Sequence, residues 1–176
     1  MTIYIMKISG VLWLQKIIDK IERKHHITQS EVEQVLSNNP QYRFIEKGRI
    51  EGENVYSAYG RTDAGRYVTI IFIHKFNSRA LIISVRDMDK KENNMEKTIE
   101  SIPNDMSIEQ ASEFWDTHSV ADYPSHIVEM EFKPEERITF VAVANELLRQ
   151  LDIKAKENGV SIETLVNLWL QEKLIT

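Results

Sequence analysis

The stretch Glu53-Asn-Val-Tyr-Ser-Ala-Tyr-Gly-Arg-Thr-Asp-Ala-Gly-Arg-Tyr-Val-Thr-Ile-Ile-Phe-Ile-His-Lys-Phe-Asn-Ser-Arg-Ala-Leu-Ile-Ile-Ser-Val-Arg86 decides the fold of the first half of this chain. Residues 53–60, 66–75 and 79–86 are rich in Tyr, Val, Ile and Phe, and so are residues 41–46 upstream. Short segments with Gly, Asp, Asn or Ser separate them, and connections of this length join antiparallel neighbours. The sequence therefore predicts an antiparallel β-meander over residues 41–86.

Two helices are predicted before the meander, after a possible short strand over residues 2–8. A first helix ends near His25, and its apolar residues recur at helical spacing: Leu14, Ile17, Ile18 and Ile21. Thr28 and Glu31 form a capping-box pattern that begins a second helix, which stops before Pro40. Because the connections are short, we expect both helices on one side of the sheet, in an α+β fold.

Three arginines stand at the ends of predicted strands. Arg61 and Arg66 lie in and beside the loop between two strands, and Arg86 ends the last one. Strand alternation predicts that Arg86 shares a face with Ser84 and points away from Leu81, Ile83 and Val85. Arginine donates two hydrogen bonds at once to phosphate oxygens, so the three could converge on a phosphodiester. The alternative is that each is a solvated residue at a strand end.

His25 and the preceding Lys24 are candidates for chemistry at the end of the first helix. An imidazole titrates near neutral pH and can transfer protons, and a neighbouring ammonium can stabilise charge. The same pattern also fits cations that stabilise a helix C-terminus. The rings of His25 and His26 diverge, so the pattern predicts no metal site, and we expect no cofactor.

The composition places the chain among globular proteins. It has 176 residues, of which 42 % are apolar and 28 % charged, enough for one medium domain or two small ones. It has no cysteine, which excludes disulfides, thiolate metal sites and cysteine nucleophiles. No apolar run approaches the ~20 residues that span a bilayer, so we expect a cytoplasmic protein with no membrane partner.

The net charge of −5 hides a difference between the two halves. Residues 1–94 hold 15 Lys and Arg against 11 Asp and Glu, whereas residues 95–176 hold 7 against 16. A polar run precedes this boundary, and we place a linker at residues 93–97. An acidic second half could neutralise a basic first half, although two solvated surfaces can also differ by chance.

Residues 98–132 are predicted to form an acidic arm with one amphipathic helix, Ile108 to Trp115. Such a segment is too small to bury its own Phe114 and Trp115, so we expect it to dock on the basic half. The alternative is a local core with Tyr123 and Ile127.

Residues 133–176 have the element order strand, helix, glycine turn, helix. The strand covers residues 138–143, a helix covers 145–158, Gly159 ends it, and Ser161 caps a last helix. This is the order of a ribbon-helix-helix domain. A lone strand cannot complete its own hydrogen bonds, so two chains would pair it and form a homodimer.

The first half resembles the BrnT toxin family over about residues 8–90. The resemblance is carried by an ordered series of motifs: Trp13, Lys24-His25 with Ile27-Thr28, Glu31-Val-Glu-Gln-Val-Leu36, Ala58-Tyr-Gly-Arg-Thr62, Gly65-Arg-Tyr67 and Ser84-Val-Arg-Asp-Met88. It implies a RelE-like, metal-independent ribonuclease. It further implies that Lys24, His25, Arg61, Arg66 and Arg86 lie near the RNA phosphate, with Glu31 or Glu33 assisting proton transfer. Trp13, Tyr59, Arg61 and Arg66 are the corresponding RNA-binding candidates.

The second half resembles the CopG/BrnA-type antitoxins over residues 97–174, through Phe114-Trp-Asp-Thr-His118, Asp122-Tyr123 and Glu163 to Leu174. The resemblance implies an arm that binds the toxin and paired strands that bind operator DNA. The interface candidates are Glu109, Glu113, Phe114, Trp115 and Asp116. The DNA-contact candidates are Lys133, Arg137, Thr139 and Ser161, although base readout favours Arg, Asn, Gln or Lys, which residues 138–143 lack.

Two functions follow from these patterns. In the first, residues 1–92 are an RNA-cleaving toxin held inactive by the fused antitoxin half. In the second, the chain is a DNA-binding repressor of its own operon, and the toxin half has no activity. The first requires an open arginine cluster once the acidic half is removed, and the second requires a basic ribbon, which residues 138–143 lack.

Overall fold

The computed structural model describes residues 5–90, 92, 101–135 and 141–174. Its centre is a mixed α+β domain around a six-stranded sheet. The first half provides β1 (Met6–Ile8), β2 (Gly10–Leu12), β3 (Gln41–Glu46), β4 (Val55–Arg61), β5 (Tyr67–His74) and β6 (Arg79–Asp87), and the arm adds β7 (His126–Val128). The order of the strands in the sheet is β2-β6-β5-β4-β3-β7. Strands β3 to β6 pair antiparallel in sequence order, so the structure has the predicted meander.

Both helices of the first half pack on one face of this sheet. Helix α1 (Gln15–Lys20) continues as a π-helical turn, Ile21–His25, and α2 (Gln29–Ser37) follows. The capping box is present: the backbone N–H of Glu31 donates to the Thr28 hydroxyl at 3.2 Å, and the Glu31 carboxylate accepts the Thr28 N–H at 2.8 Å. His26 ends the π-helical turn with φ 52°, a left-handed conformation that reverses the chain.

The sheet face under these helices is the core of the first half. Its buried members include Ile17, Ile21, Val32, Val35, Tyr56, Ile70, Phe72, Ile82 and Val85. They come from the helices and from alternate positions of the strands, as a half-covered sheet requires. All its buried members belong to the first half, and Val128, Met130 and Phe132 of the arm pack against its edge.

A β-bulge corrects the predicted orientation of Ile83, whereas Arg86 shares a face with Ser84 and points away from Val85, as predicted. Ile71 pairs with Ser84, but the next residue, Phe72, pairs with Ile82, so Ile83 is an extra residue in β6. The extra residue reverses the alternation, because two consecutive residues then face the same side. Ile83 therefore lies on the same face as Ser84 and Arg86, whereas Ile82 and Val85 face the helices.

The acidic arm covers the other face of the sheet. Helix α3 (Ile108–Thr117) lies against β6, and a short 3-10 turn follows at Val120–Asp122. Trp115 is 0 % exposed, in a second core formed with residues of the sheet and of the arm: Ile45, Val55, Tyr59, Ile71, Ile83, Val120 and Tyr123. The sheet is thus buried between its own helices and the arm.

Two three-residue strands of the arm pair with the first half, which the sequence analysis did not predict. Strand β7 (His126–Val128) pairs antiparallel with the edge strand β3, and β8 (Met130–Phe132) pairs in parallel with β1. Strand addition to an exposed edge uses main-chain hydrogen bonds, so it leaves little side-chain pattern in the sequence. The predicted local core is also corrected, because Tyr123 packs on the sheet and Ile127 is 60 % exposed.

The C-terminal residues form a helical hairpin. Helix α4 (Asn145–Asn158) ends at Gly159, whose φ of 65° allows the turn, and α5 (Ile162–Leu174) follows. The predicted ribbon strand cannot be compared in full, since residues 138–140 lie outside the described part. Residues 141–143 have no regular structure in this single chain. Within the described ranges, no helix has the length and apolarity needed to cross a bilayer.

Candidate functional site: a cationic cluster under the arm

The carboxylate of Asp116, at the end of helix α3, lies among cationic and polar groups of the first half. Its Oδ2 is 3.0 Å from Lys20 Nζ and 3.6 Å from Lys24 Nζ. Its Oδ1 is 3.5 Å from His25 Nε2 and accepts a hydrogen bond from the Ser84 hydroxyl at 2.9 Å. Four side chains of the sheet and first helix therefore converge on one carboxylate of the arm.

The fold explains how these groups meet. Lys20 and Lys24 are about one helical turn apart, so both project from the same side of the first helical segment. Ser84 pairs with Ile71 and lies on the face of the sheet that the arm covers. The predicted candidates Lys24 and His25 are part of the cluster, whereas Lys20 and Ser84 were not singled out from the sequence. The four-residue spacing of Lys20 and Lys24, with Lys20 among apolar neighbours, is the sequence signal that could have indicated Lys20.

Arg86 lies under the arm and is fully engaged. Its Nη1 donates to Glu92 at 3.0 Å, and its Nη2 donates to the other oxygen of the same carboxylate. Its Nε donates to the main-chain carbonyl of Trp115 at 3.0 Å, and Nη2 also donates to that of His118 at 3.1 Å. Two carbonyl oxygens of the arm thus accept hydrogen bonds from the guanidinium, and the Glu92 carboxylate of the first half binds it as well.

Arg66 has a different position from the one predicted. Its guanidinium donates to both Asp87 oxygens, at 2.7 and 3.1 Å, and to the main-chain carbonyls of His25 and His26 at 2.7 and 2.8 Å. The same hydrogen bonds to Arg66 lower the pKa of the Asp87 carboxyl. Arg66 therefore stabilises the turn that carries His25, and its guanidinium N–H groups donate to oxygen atoms of the protein.

Arg61 lies apart from Arg86, and the three predicted arginines do not meet at one point while the arm is docked. The Arg61 guanidinium stacks over the Tyr67 ring, 5.4 Å from its centroid, at the exposed end of β4. Strand spacing puts the Cα atoms of Arg61 and Arg86 about 12 Å apart on one face of the sheet. Arg61 lies in β4 and Arg86 in β6, and strand β5 lies between them. Their positions at strand ends in the sequence did not indicate this separation.

Two of the predicted RNA-stacking aromatics are buried. Trp13 belongs to the core beneath the helices and is 5 % exposed, so it is not available to a base, which corrects that prediction. Tyr59 belongs to the second core under the arm, and burial raises the pKa of its hydroxyl. The two glutamates named as candidates to assist proton transfer have different environments. The Glu31 carboxylate is part of the capping box of α2, and the pKa of the Glu33 carboxyl is raised by its partial burial and by the nearby Glu163.

The predicted interface residues fall into a buried group and an exposed group. Trp115 and Asp116 are the buried contacts, and the Phe114 ring stacks on His118 at 4.0 Å between centroids. Glu113 Oε2 is 3.2 Å from Lys24 Nζ, with both side chains solvent-exposed. Glu109 is exposed on the outer side of the helix and is not among the groups around the arginines.

The predicted DNA contacts are only partly described. Lys133 is exposed and pairs with Glu131 at 2.9 Å. The Ser161 hydroxyl accepts the N–H of Thr164 at 3.1 Å, which confirms it as the cap of the last helix. Arg137 and Thr139 lie outside the described residues.

The fold and the site define a chain of two functional parts, in which the second part covers a cationic face of the first. Comparison with protein-family models agrees with this division. Residues 15–92 match the family described as ribonuclease toxin, BrnT, of type II toxin-antitoxin system, and residues 100–173 match the CopG antitoxin of type II toxin-antitoxin system.

The chain is therefore a BrnT toxin domain fused to a CopG antitoxin domain. A solved structure, the ribonuclease toxin BrnT of Brucella abortus, is similar at 16 % identity and a TM-score of 0.33, covering 46 % of this chain and 97 % of that one. A comparison with curated proteins finds no match.

Proposed function

We propose that residues 1–92 form a metal-independent endoribonuclease and that the antitoxin part of the same chain holds it inactive. The observation that supports this proposal best is the position of Asp116. Its carboxylate lies within 4 Å of Lys20, Lys24 and His25 at once, as a phosphate group of RNA would. A phosphodiester cannot occupy this position while the arm is docked.

The reaction we propose is in-line attack by a ribose 2′-hydroxyl on the adjacent phosphorus. The 2′ oxygen bonds to phosphorus as the bond to the 5′ oxygen breaks, and the products carry a 2′,3′-cyclic phosphate and a 5′-hydroxyl. The His25 imidazole takes the proton of the 2′-hydroxyl, and the leaving 5′ oxygen takes a proton from solvent. Lys24 stabilises the charge that develops on the phosphorane.

The arginines have separate roles in this proposal. Arg66 positions His25 by holding the carbonyls of the His25–His26 turn. Arg86 binds RNA once the carbonyls of Trp115 and His118 have left it, and Arg61 binds a flanking phosphate at the exposed rim of the same sheet face. The four-residue cluster at Asp116 and these two arginines together form one cationic surface for an RNA strand.

The Asp116→Asn variant of the full chain tests this proposal. The amide keeps the size of the side chain but removes the charge that neutralises the cluster, so the arm binds less tightly and RNA competes for the site. We expect at least about tenfold faster RNA cleavage than by the unaltered chain, equal in EDTA and in Mg²⁺, with 2′,3′-cyclic phosphate ends identified by mass spectrometry.

Glu113→Gln is the matched control, because it removes a carboxylate from the exposed side of the same helix. We expect its activity to stay within about twofold of the unaltered chain, since exposed ion pairs contribute little. Cleavage that requires Mg²⁺ would exclude the mechanism. Equal activity of the unaltered chain and Asp116→Asn would exclude inhibition through this carboxylate.

We also propose that the C-terminal hairpin forms a homodimer in which residues 138–143 of two chains pair as a ribbon. The hairpin has a small core of its own, Leu151, Ala155 and Leu165, and several of its large apolar side chains are exposed in the single chain: Leu147, Leu148, Ile153, Leu168, Trp169 and Leu170. An apolar surface of this extent is typical of an association interface.

Light scattering at micromolar concentration is expected to give twice the chain mass of 20.6 kDa. Replacing Leu148 with Glu should produce a monomer, because burying an unpaired carboxylate in the interface is unfavourable. Replacing the exposed Glu157 with Ala on the same helix should leave the dimer intact. A monomeric unaltered chain would contradict this prediction.

A further inference from the structure

Lys20 is a buried lysine whose charge is satisfied by the arm. Its side chain is 7 % exposed, and its ammonium lies 3.0 Å from Asp116 Oδ2 and donates to the Ser112 hydroxyl. Among the described residues, both of these polar partners belong to the antitoxin half. Within its described residues, 5–90 and 92, the toxin half therefore holds a cation at this position and supplies no counter-charge in contact with it.

This arrangement has an energetic consequence when the arm undocks. Undocking removes both polar partners of Lys20 at once and leaves its ammonium without an anion, and an anion that then meets it with good geometry is stabilised. A site that keeps such a group next to Lys24 and His25 is preorganised to bind an anion from outside the toxin domain. The structure already contains a substitute for that anion, the Asp116 carboxylate.

The other oxygen of the Asp116 carboxylate, Oδ1, identifies a second group that could bind the same anion. Ser84 donates its hydroxyl to Asp116 Oδ1 at 2.9 Å, on the side opposite the ammonium contact at Oδ2. A carboxylate and a phosphodiester both present two oxygens that share negative charge. A phosphate at this position would have one non-bridging oxygen at Lys20 and the other at Ser84.

We propose that Lys20 is a catalytic residue of the toxin domain, whose ammonium binds a non-bridging oxygen of the scissile phosphate at the place of the Asp116 carboxylate, with Ser84 on the other oxygen. The inference rests on the proposed ribonuclease function and adds the residues that hold the reacting group. The Lys20 ammonium stabilises the negative charge that grows on the phosphorane. Arg86, which Glu92 also binds, contributes to RNA binding beside this subsite.

The test uses the full chain with its arm weakened by Trp115→Ala and Asp116→Ala. In this opened chain, Lys20→Met removes the ammonium while keeping most of the apolar stem, and Ser84→Ala removes the hydroxyl. Lys16→Ala is the matched control, because it removes a lysine charge from the exposed side of the same helix. Two quantities are measured: the single-turnover cleavage rate of a short RNA, and the affinity for the same oligonucleotide with 2′-deoxy sugars, which cannot be cleaved.

We expect Lys20→Met to slow cleavage by about 100-fold or more, by analogy with the loss of one oxyanion donor, and to weaken binding of the deoxy oligonucleotide several-fold. Ser84→Ala should slow cleavage by a smaller factor, and Lys16→Ala should change either quantity by less than about threefold. Circular dichroism and thermal melting establish that each variant is folded. Lys20→Arg, which keeps the charge, provides a second folded variant and should retain more activity than Lys20→Met.

The outcomes separate this inference from the proposed function. Cleavage by the opened chain that is unchanged in Lys20→Met overturns the role of Lys20 and leaves the ribonuclease function standing. An opened chain that binds the deoxy oligonucleotide but does not cut RNA overturns the ribonuclease function. In that case a loss of affinity for the deoxy oligonucleotide in Lys20→Met supports the anion subsite, and an unchanged affinity overturns it. An opened chain that neither binds nor cuts overturns both.

Discussion

Replacing Trp115 with Ala is expected to raise RNA cleavage by the full chain at least about 100-fold. The Trp115 side chain is fully buried between helix α3 and the sheet, in contact with a core that both halves share. Truncating a buried tryptophan to alanine removes about 3–5 kcal/mol of packing free energy. Each 1.4 kcal/mol changes an equilibrium about tenfold, so the fraction of chains with an undocked arm should increase by two to three orders of magnitude.

An anchor of this size is needed because the two halves belong to one chain. A tethered arm meets its site at an effective concentration in the millimolar range, so a change in one exposed contact leaves the arm docked. Buried aromatic residues at the centre of an interface dominate the binding free energy, whereas charges at the rim mainly affect association rates. We therefore expect Trp115 to matter far more than the acidic residues on the outer side of α3.

Glu109→Ala is the control for this prediction, since Glu109 is exposed on the same helix. Its RNA cleavage should stay within about twofold of the unaltered chain. The measurement is the initial rate of cleavage of a fluorescent RNA. A thermal melt establishes that each variant is folded, which we expect because the core beneath the helices does not include Trp115 or Glu109. Equal activity of the Trp115→Ala and Glu109→Ala variants, both folded, would show that Trp115 does not anchor the arm.

The second large effect is expected at Glu92. Its carboxylate is fully buried and accepts hydrogen bonds from Arg86, from the Thr69 hydroxyl at 2.7 Å and from the backbone N–H of Val120 at 3.1 Å. Removing one member of a buried ion pair leaves the other charge without compensation, which costs about 3–5 kcal/mol. Glu92→Ala should lower the free energy of unfolding by about this amount.

Urea denaturation of the full chain, followed by tryptophan fluorescence, measures this change. Glu157→Gln is the control, because Glu157 pairs with Lys154 on an exposed helix surface and should contribute less than about 1 kcal/mol. A loss of under 1 kcal/mol in Glu92→Ala would mean that the buried network does not hold the end of the toxin domain. The same variant should loosen the arm, since Val120 belongs to the antitoxin half.

Local sequence patterns predicted much of the secondary structure. The alternation in residues 41–86 indicated the meander, and the pair Thr28 and Glu31 indicated the start of α2. The apolar spacing at residues 108–115 indicated the helix of the arm, and Gly159 indicated the turn between the last helices. Each of these signals depends on residues close together in the chain, where backbone conformation and side-chain periodicity are decided.

The composition of the candidate site was predicted in part. Lys24 and His25 are adjacent in sequence and carry recognisable chemistry, and both lie in the cluster around Asp116. The partners of the Arg66 side chain could not be predicted from its residue type, because a guanidinium binds a carboxylate or a main-chain carbonyl as readily as a phosphate. Trp13 was misassigned for a similar reason: an aromatic ring suits a core as well as a base.

The sequence by itself determined that this chain has a basic first half and an acidic second half, with an α+β fold in the first and paired helices at the end. Only the tertiary structure decided which side chains meet. The bulge put Ile83 on the same face as Ser84 and Arg86, and the docking of α3 brought Asp116 from a distant part of the chain to Lys20. Such contacts depend on strand register and on how separate elements pack, and neither is encoded in the spacing of neighbouring residues.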